Sequence, residues 1–91
     1  MTHAVVLIRA EREALGTLGG RLAEIDGVSE AYSVTGDWDF VAIVRVQDPE
    51  ELAKVVTESL ARLEGITRTY TTTAFRAYSD HDLAAMFSIG G

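Results

Sequence analysis

The chain has no cysteine, a single proline and only two histidines among its 91 residues. The lack of cysteine excludes disulfides and thiolate metal sites. His3 and His81 stand far apart, without the spacing that zinc sites use, so we expect no metal and no cofactor. No low-complexity stretch or proline-rich linker divides the chain, and we expect one domain over residues 1–91.

Basic residues are also few. The chain carries eight Lys and Arg against fourteen Asp and Glu, which gives a formal net charge of −6. Nucleic-acid binding depends on clustered cations that neutralise phosphates, so we expect no direct nucleic-acid partner. The apolar run at residues 4–8 is too short for a signal peptide or a membrane span. We therefore expect a cytoplasmic protein with no membrane partner.

The sequence does contain an internal repeat at an offset of thirty-eight positions. Residues 22–35 align with residues 60–73, with identical Leu, Ala, Gly, Tyr and Thr at five positions. The same offset places Ala4, Val6 and Glu13 over Ala42, Val44 and Glu51. Each copy has the pattern of a strand, a helix, a glycine and a strand, so two copies predict a βαββαβ chain.

The pattern places four strands at residues 4–8, 28–34, 40–46 and 66–75. Side chains alternate along a strand, so Val28, Tyr32 and Val34 are expected on one side of the second strand, and Ser29, Ala31 and Ser33 on the other. An apolar stripe at helical spacing predicts one helix over residues 11–25, ended by Gly27. A second helix is expected to begin at Asp48 as N-cap with Pro49 at N1, and to end at Gly65.

This order of elements predicts an α+β fold: a ferredoxin-like, antiparallel four-stranded sheet with two helices on one face. The first and third strands are apolar on both sides, as expected for central strands, whereas the second and fourth mix polar and apolar residues as edges do. The core is expected over residues 4–75. Residues 76–91 form a C-terminal tail, with one or two helical turns predicted at residues 79–87.

The central strands present apolar side chains to both faces of the sheet, but the helices cover only one. The uncovered face would exceed the apolar patch that monomers usually tolerate. A second copy packed face to face is the simplest cover, so the sequence predicts a homodimer of the dimeric α+β barrel type.

A short motif lies between the second and third strands. Val34-Thr35-Gly36-Asp37-Trp38-Asp39-Phe40, with Gly27-Val28 before it and Gly65-Ile66 after it, resembles the effector-binding domain of the Lrp/AsnC (leucine-responsive/asparagine-responsive) transcription regulators. The resemblance covers residues 4–75. Trp38 stands where the family usually has Tyr. Family regulators also carry an N-terminal helix-turn-helix, and this chain begins at the first strand, so it resembles a stand-alone ligand-sensing module without a DNA-binding domain, the type often called RAM.

The resemblance implies sheet-to-sheet dimers, rings of dimers, and an amino acid bound where the motif meets a neighbouring dimer. Gly36 allows positive φ, so its backbone N–H groups can receive a carboxylate. Asp37 or Asp39 can accept from an ammonium, and Trp38 can form an apolar wall. Hydroxyls are available from the fourth strand. The predicted ligand-binding residues are Thr35, Gly36, Asp37, Trp38, Asp39, Thr69, Thr71 and Thr73, with Thr72 as a further donor.

Each of these residues also has a plain structural interpretation. The motif suits an ordinary tight turn, and threonine suits a half-exposed edge strand. We expect no catalytic residue, because no base, nucleophile or metal ligand accompanies Asp37 and Asp39.

Three functions remain open at this point. The first is a non-enzymatic amino-acid-sensing and oligomerisation module that modulates a full-length Lrp/AsnC-type regulator by co-assembly. The second is a small dimeric α+β barrel enzyme, similar to monooxygenases or isomerases, which requires a titrating group between sheet and helices. The third is an ACT-like regulatory domain, which joins its copies through sheet edges.

Overall fold

The computed structural model describes residues 1–78 and confirms the βαββαβ order. The strands are β1 (Thr2–Ala10), β2 (Val28–Ser33), β3 (Phe40–Val46) and β4 (Ile66–Thr73). They form one antiparallel sheet in the order β2-β3-β1-β4, so β1 and β3 are central, as predicted. The helical turns predicted at residues 79–87 lie outside the described residues.

The core lies between the sheet and the helices. Alternate residues of β1 and β3 form the sheet side of the core, and leucines of the helical segments form the opposite side. Residues at most 2% exposed include Ala4, Val6, Ile8, Leu18, Leu22, Phe40, Ala42, Val44 and Leu60. Full burial of a large aliphatic side chain contributes about 1.5–3 kcal/mol, so this layer is the main source of stability.

The first helical segment differs from the single helix predicted over residues 11–25. It consists of a 3-10 turn at Arg12–Ala14 and a separate helix α1 at Leu18–Ala23, and Leu15 between them is 45% exposed. Gly16 lies in the break between them, and Gly19 and Gly20 lower the helix propensity of α1 itself. A Cβ on Gly19 would lie 3.3 Å from the Phe40 ring, so glycine here lets the helix approach β3 closely.

The second helical segment begins as predicted. Helix α2 (Pro49–Lys54) has Asp48 as N-cap, and the Asp48 side chain accepts a hydrogen bond from the Glu51 backbone N–H at 2.9 Å. The chain continues through a π-helical stretch at Val55–Ser59 and a 3-10 turn at Leu60–Arg62. Gly65 then reverses it with φ of 94°.

Both edge strands contain a bulge, and the bulges occupy equivalent positions of the repeat. In β2 the register skips Ser29, between Val28 and Glu30. In β4 it skips Thr67, because Ile66 pairs with Ala10 and Arg68 pairs with Arg9. An extra residue reverses the alternation of side chains.

The predicted sides of β2 are wrong for this reason. Val28 and Ala31 both pack against the core, whereas Tyr32 lies on the opposite face and is 48% exposed. The prediction assumed strict alternation, which the bulge at Ser29 interrupts.

Candidate ligand-binding site

The face of the sheet opposite the helices, here called the open face, is apolar along its centre. Val5 pairs with Ile43 and Leu7 pairs with Val41 in the β1–β3 register, so these four side chains lie side by side. Tyr32 pairs with Val41, and Tyr70 pairs with Leu7, which extends the patch toward both edges. Val5 is 37% exposed and Tyr70 is 55% exposed, and Leu7, Val41 and Ile43 are partly exposed, so this surface is open to solvent along its length.

The turn at residues 35–39 joins β2 to β3 at one end of the sheet. Gly36 has φ of 101°, a left-handed conformation of the kind that glycine allows there. Asp39 fixes the turn to β1: its backbone N–H donates to the Ile8 carbonyl at 2.9 Å, and its Oδ2 accepts from the Ala10 N–H at 2.8 Å. The Asp39 carbonyl also accepts from the Val34 N–H at 3.0 Å. Asp39 therefore has a structural task, while Asp37 is exposed.

Trp38 reaches from this turn to β4 on the far side of β1. Its ring lies 6.4 Å from the Tyr70 ring, centroid to centroid, with the planes tilted by 51°. The Arg68 guanidinium lies 5.6 Å from the Trp38 centroid, within the range of a cation–π interaction. Arg68 and Tyr70 were absent from the predicted site. Only the pairing of Tyr32 with Tyr70 in the repeat marked either residue in the sequence.

The threonines of β4 divide between the two faces. Thr69, Thr71 and Thr73 pair with Ile8, Val6 and Ala4, so their side chains share the face that the helices cover. Thr72 pairs with Val5 and lies on the open face, as Arg68 and Tyr70 do.

The predicted site residues therefore fall into two groups. Thr35, Gly36, Asp37, Trp38 and Asp39 form one turn, and Thr69, Thr71 and Thr73 lie on the other side of the sheet. Thr69 borders a cleft of about 200 Å³ between β4 and the second helical segment, together with Val56 and Leu60. The roles of both groups in ligand binding stay predictions.

On the open face, Glu30 interacts with two neighbouring side chains, Tyr32 and Arg45. The Tyr32 hydroxyl donates to the Glu30 carboxylate, and this hydrogen bond, with the carboxylate charge, raises the pKa of Tyr32 above its ordinary value. Glu30 also lies 4.0 Å from the Arg45 guanidinium, with both side chains about half exposed.

Residues 1–78 contain no group of three or more acidic or histidine side chains arranged to hold a metal ion. In the same span, no helix has the length and apolar content needed to cross a bilayer.

Comparison with known proteins identifies the family. A family model described as the Lrp/AsnC ligand binding domain matches residues 3–84. An uncharacterized HTH-type transcriptional regulator of Pyrococcus furiosus is 36% identical over 77 residues, which cover 81% of this chain and 51% of the regulator. The chain thus spans about half the length of the curated transcription regulators that it matches.

Solved structures share the fold. A crystal structure of a Thermus thermophilus protein is 51% identical with a TM-score of 0.81, and the match covers 87% of this chain and 99% of that chain. A Neisseria meningitidis transcriptional regulator, crystallised in complex with L-Met, has a TM-score of 0.76 at 12% identity, covering 86% of this chain and 52% of that one. With its βαββαβ sheet, its turn after β2 and the match over residues 3–84, the chain belongs to the Lrp/AsnC ligand-binding domain family.

Proposed function

We propose that this domain is a non-enzymatic amino-acid sensor that works as a homodimer formed through its open face. Domains of this family typically dimerise. The observation that carries the proposal is the apolar centre of the open face, where Val5, Leu7, Val41 and Ile43 lie in register and all remain at least partly exposed.

The energetics favour a second copy as that cover. Burial of apolar surface contributes about 25 cal/mol per Å², so covering roughly 500 Å² contributes on the order of 12 kcal/mol before the cost of association. Tyr32 and Tyr70 flank the patch, and amphipathic aromatic residues of this kind are enriched at protein interfaces. A two-fold axis would bring each aliphatic centre onto its equivalent in the partner.

The ligand site is proposed at the turn of residues 35–39, beside the edge of that interface. Gly36 supplies backbone N–H groups, exposed Asp37 supplies an acceptor for an ammonium, and half-buried Trp38 supplies an apolar wall. The L-Met complex of the Neisseria regulator supports an amino acid as the ligand class. The threonines of β4 remain candidate contacts from a neighbouring molecule.

Binding rather than catalysis agrees with the composition of the interior. Among the described residues, no polar or charged side chain is buried. An enzyme of the dimeric α+β barrel type would need a titrating group between sheet and helices. The matched family model describes a ligand-binding domain, and several curated relatives that match it are transcription regulators, which also supports the sensor.

We propose further that the domain assembles into rings of dimers and modulates a full-length Lrp/AsnC-type regulator by co-assembly. Support comes from the curated relatives, of which several are HTH-type transcriptional regulators matched over about half their length. The cytoplasmic location expected from the sequence stays a prediction.

A thermal-shift screen against the twenty amino acids, combined with light scattering, tests the sensor. A ligand at about 100 times its Kd should add about 2.7 kcal/mol of stability. Gly36→Val should abolish this response and leave the dimer intact, because valine is strained at φ of 101°. Gly16→Val is the matched control, since a Cβ at Gly16 would also meet nothing within 4 Å. A wild-type protein that responds to no amino acid would refute the sensor.

A further inference from the structure

Two arginines face each other on the open face without a carboxylate between them. Arg9 of β1 pairs directly with Arg68 of β4, and both side chains are exposed. Arg45 and Glu30 form the ion pair found within 4.0 Å among residues 1–78. Neither Arg9 nor Arg68 has an acidic partner at that distance in the same span. Like charges directly opposite in a sheet are destabilising, so this pair costs stability in the ligand-free chain.

An acidic residue is close by in the fold but is engaged elsewhere. The Asp39 carboxylate accepts a hydrogen bond from the N–H of Ala10, the residue next to Arg9, at 2.8 Å. The same turn sends Trp38 beneath Arg68, where the guanidinium lies 5.6 Å from the ring centroid. The aromatic face restricts the positions of that guanidinium. A cation held in place loses less conformational entropy when a ligand binds than a freely moving one does.

We infer that Arg9 and Arg68 together bind the side-chain carboxylate of the ligand, while the Gly36 backbone holds its α-carboxylate and Trp38 packs against the carbon chain between them. This inference rests on the proposed function, and it orients the ligand within the same site. Guanidinium groups bind carboxylates in bidentate geometry, and an anion between two of them removes the repulsion that the free pair carries. A neutral amino acid offers no anionic side chain to the arginine pair, so the site favours a ligand with a second carboxylate. The ligand class is therefore an acidic amino acid rather than its neutral amide.

The placement contrasts with the chain as a whole, which has a net charge of −6. Acidic side chains outnumber basic ones by fourteen to eight, so the chain as a whole repels anions. The Arg9–Arg68 pair offers a local positive centre at the end of β1 where the proposed ligand turn is attached. Its position gives the ligand a charge-guided entry to Trp38.

Matched ligand pairs test the inference on the whole chain. L-glutamate against L-glutamine, and L-aspartate against L-asparagine, are titrated by calorimetry and thermal shift at constant ionic strength. We expect the acidic member to bind the wild type at least tenfold more tightly. Arg9→Gln and Arg68→Gln should each weaken its binding at least tenfold, while Arg76→Gln, which removes an exposed arginine outside the strands, should not.

The ligand-free proteins provide a second readout. Arg9→Gln should melt at or above the wild-type temperature, because it removes the repulsion and leaves the contact of Arg68 with Trp38. If the wild type binds amino acids and both glutamine variants bind them equally well, the guanidinium pair is not the carboxylate site, and the sensor stands. If no amino acid binds the wild type, both proposals fall. If Arg9→Gln instead dissociates the dimer, the arginines pair with a carboxylate of the second copy of the chain. The proposal that they bind a ligand is then wrong.

Discussion

The repeat relates the pairing of β2 with β3 to the pairing of β4 with β1, but the two pairings differ by four residues. Tyr32 lies opposite Val41, whose equivalent in the repeat is His3. Tyr70, the equivalent of Tyr32, lies instead opposite Leu7, four positions further along β1. The two copies of the repeat therefore have the same order of elements. The pairing of β4 with β1, however, is displaced relative to the pairing of β2 with β3.

That displacement creates the candidate site. It moves Tyr70 and Arg68 toward the end of β1 where Asp39 fixes the 35–39 turn, and there Trp38 contacts both. Charge differs between the two pairings as well: Glu30 has Arg45 as a partner, whereas the equivalent position in β4 holds Arg68 opposite Arg9. One pairing contains an ion pair, and the other contains the two arginines that we propose bind an anion.

The cores of the two halves should respond alike to truncation. Leu22 and Leu60 are equivalent in the repeat and are 0% and 2% exposed. Leu22→Ala and Leu60→Ala should each lower the free energy of unfolding by about 3 kcal/mol, since each leaves a cavity. Urea denaturation measures this, and Leu15→Ala, at a 45% exposed position, should cost under about 1 kcal/mol. A cost at Leu22 as small as at Leu15 would contradict the equivalence.

The glycine that ends the second helical segment should differ from the glycine of the turn. Gly65 has φ of 94°, and a Cβ there would overlap Ala14, so Gly65→Ala should cost about 2–3 kcal/mol. Gly36 has φ of 101° but open space around it, so Gly36→Ala should cost only about 1 kcal/mol. Thermal unfolding of both variants gives the comparison. Equal losses would mean that the contact with Ala14 is unimportant.

The helix starts should show the smallest difference. Asp48 caps α2 through the Glu51 N–H, so Asp48→Ala should destabilise by about 1 kcal/mol. Thr17, at the start of α1, makes no side-chain cap hydrogen bond, so Thr17→Ala should change stability by less than about 0.5 kcal/mol. Chemical denaturation of the pair checks this. A loss at Thr17 as large as that at Asp48 would contradict this difference and would mean that the Thr17 side chain caps α1 in solution.

Sequence patterns predicted the elements whose causes are local. Residues 40–46 form β3 at the predicted bounds, because a β-branched apolar run between turn signals has few alternatives. Asp48 and Pro49 start α2 as predicted, since a cap acts on the residues next to it. The break in the first helix was underestimated: its leucine spacing matched a helix, but the glycines and the close approach to Phe40 prevailed.

The features missed depend on pairing between distant strands. Nothing local marks Ser29 or Thr67 as bulged, and a single extra residue reverses every side chain after it. The contact of Trp38 with Arg68 likewise requires the register of β4 on β1, which no pattern within either strand specifies. The 35–39 turn was predictable, and its neighbours on β4 were not.

Sedimentation velocity over a wide dilution range tests most directly whether a second copy covers the open face. The wild type is expected to sediment as a dimer. Val5→Lys, which places a charge at the centre of that face, is expected to give single subunits. Leu15→Lys, at a similarly exposed apolar residue beside α1, is expected to remain dimeric. A wild type that stays a single folded subunit at every concentration, or a Val5→Lys protein that dimerises as tightly as the wild type, would contradict the account.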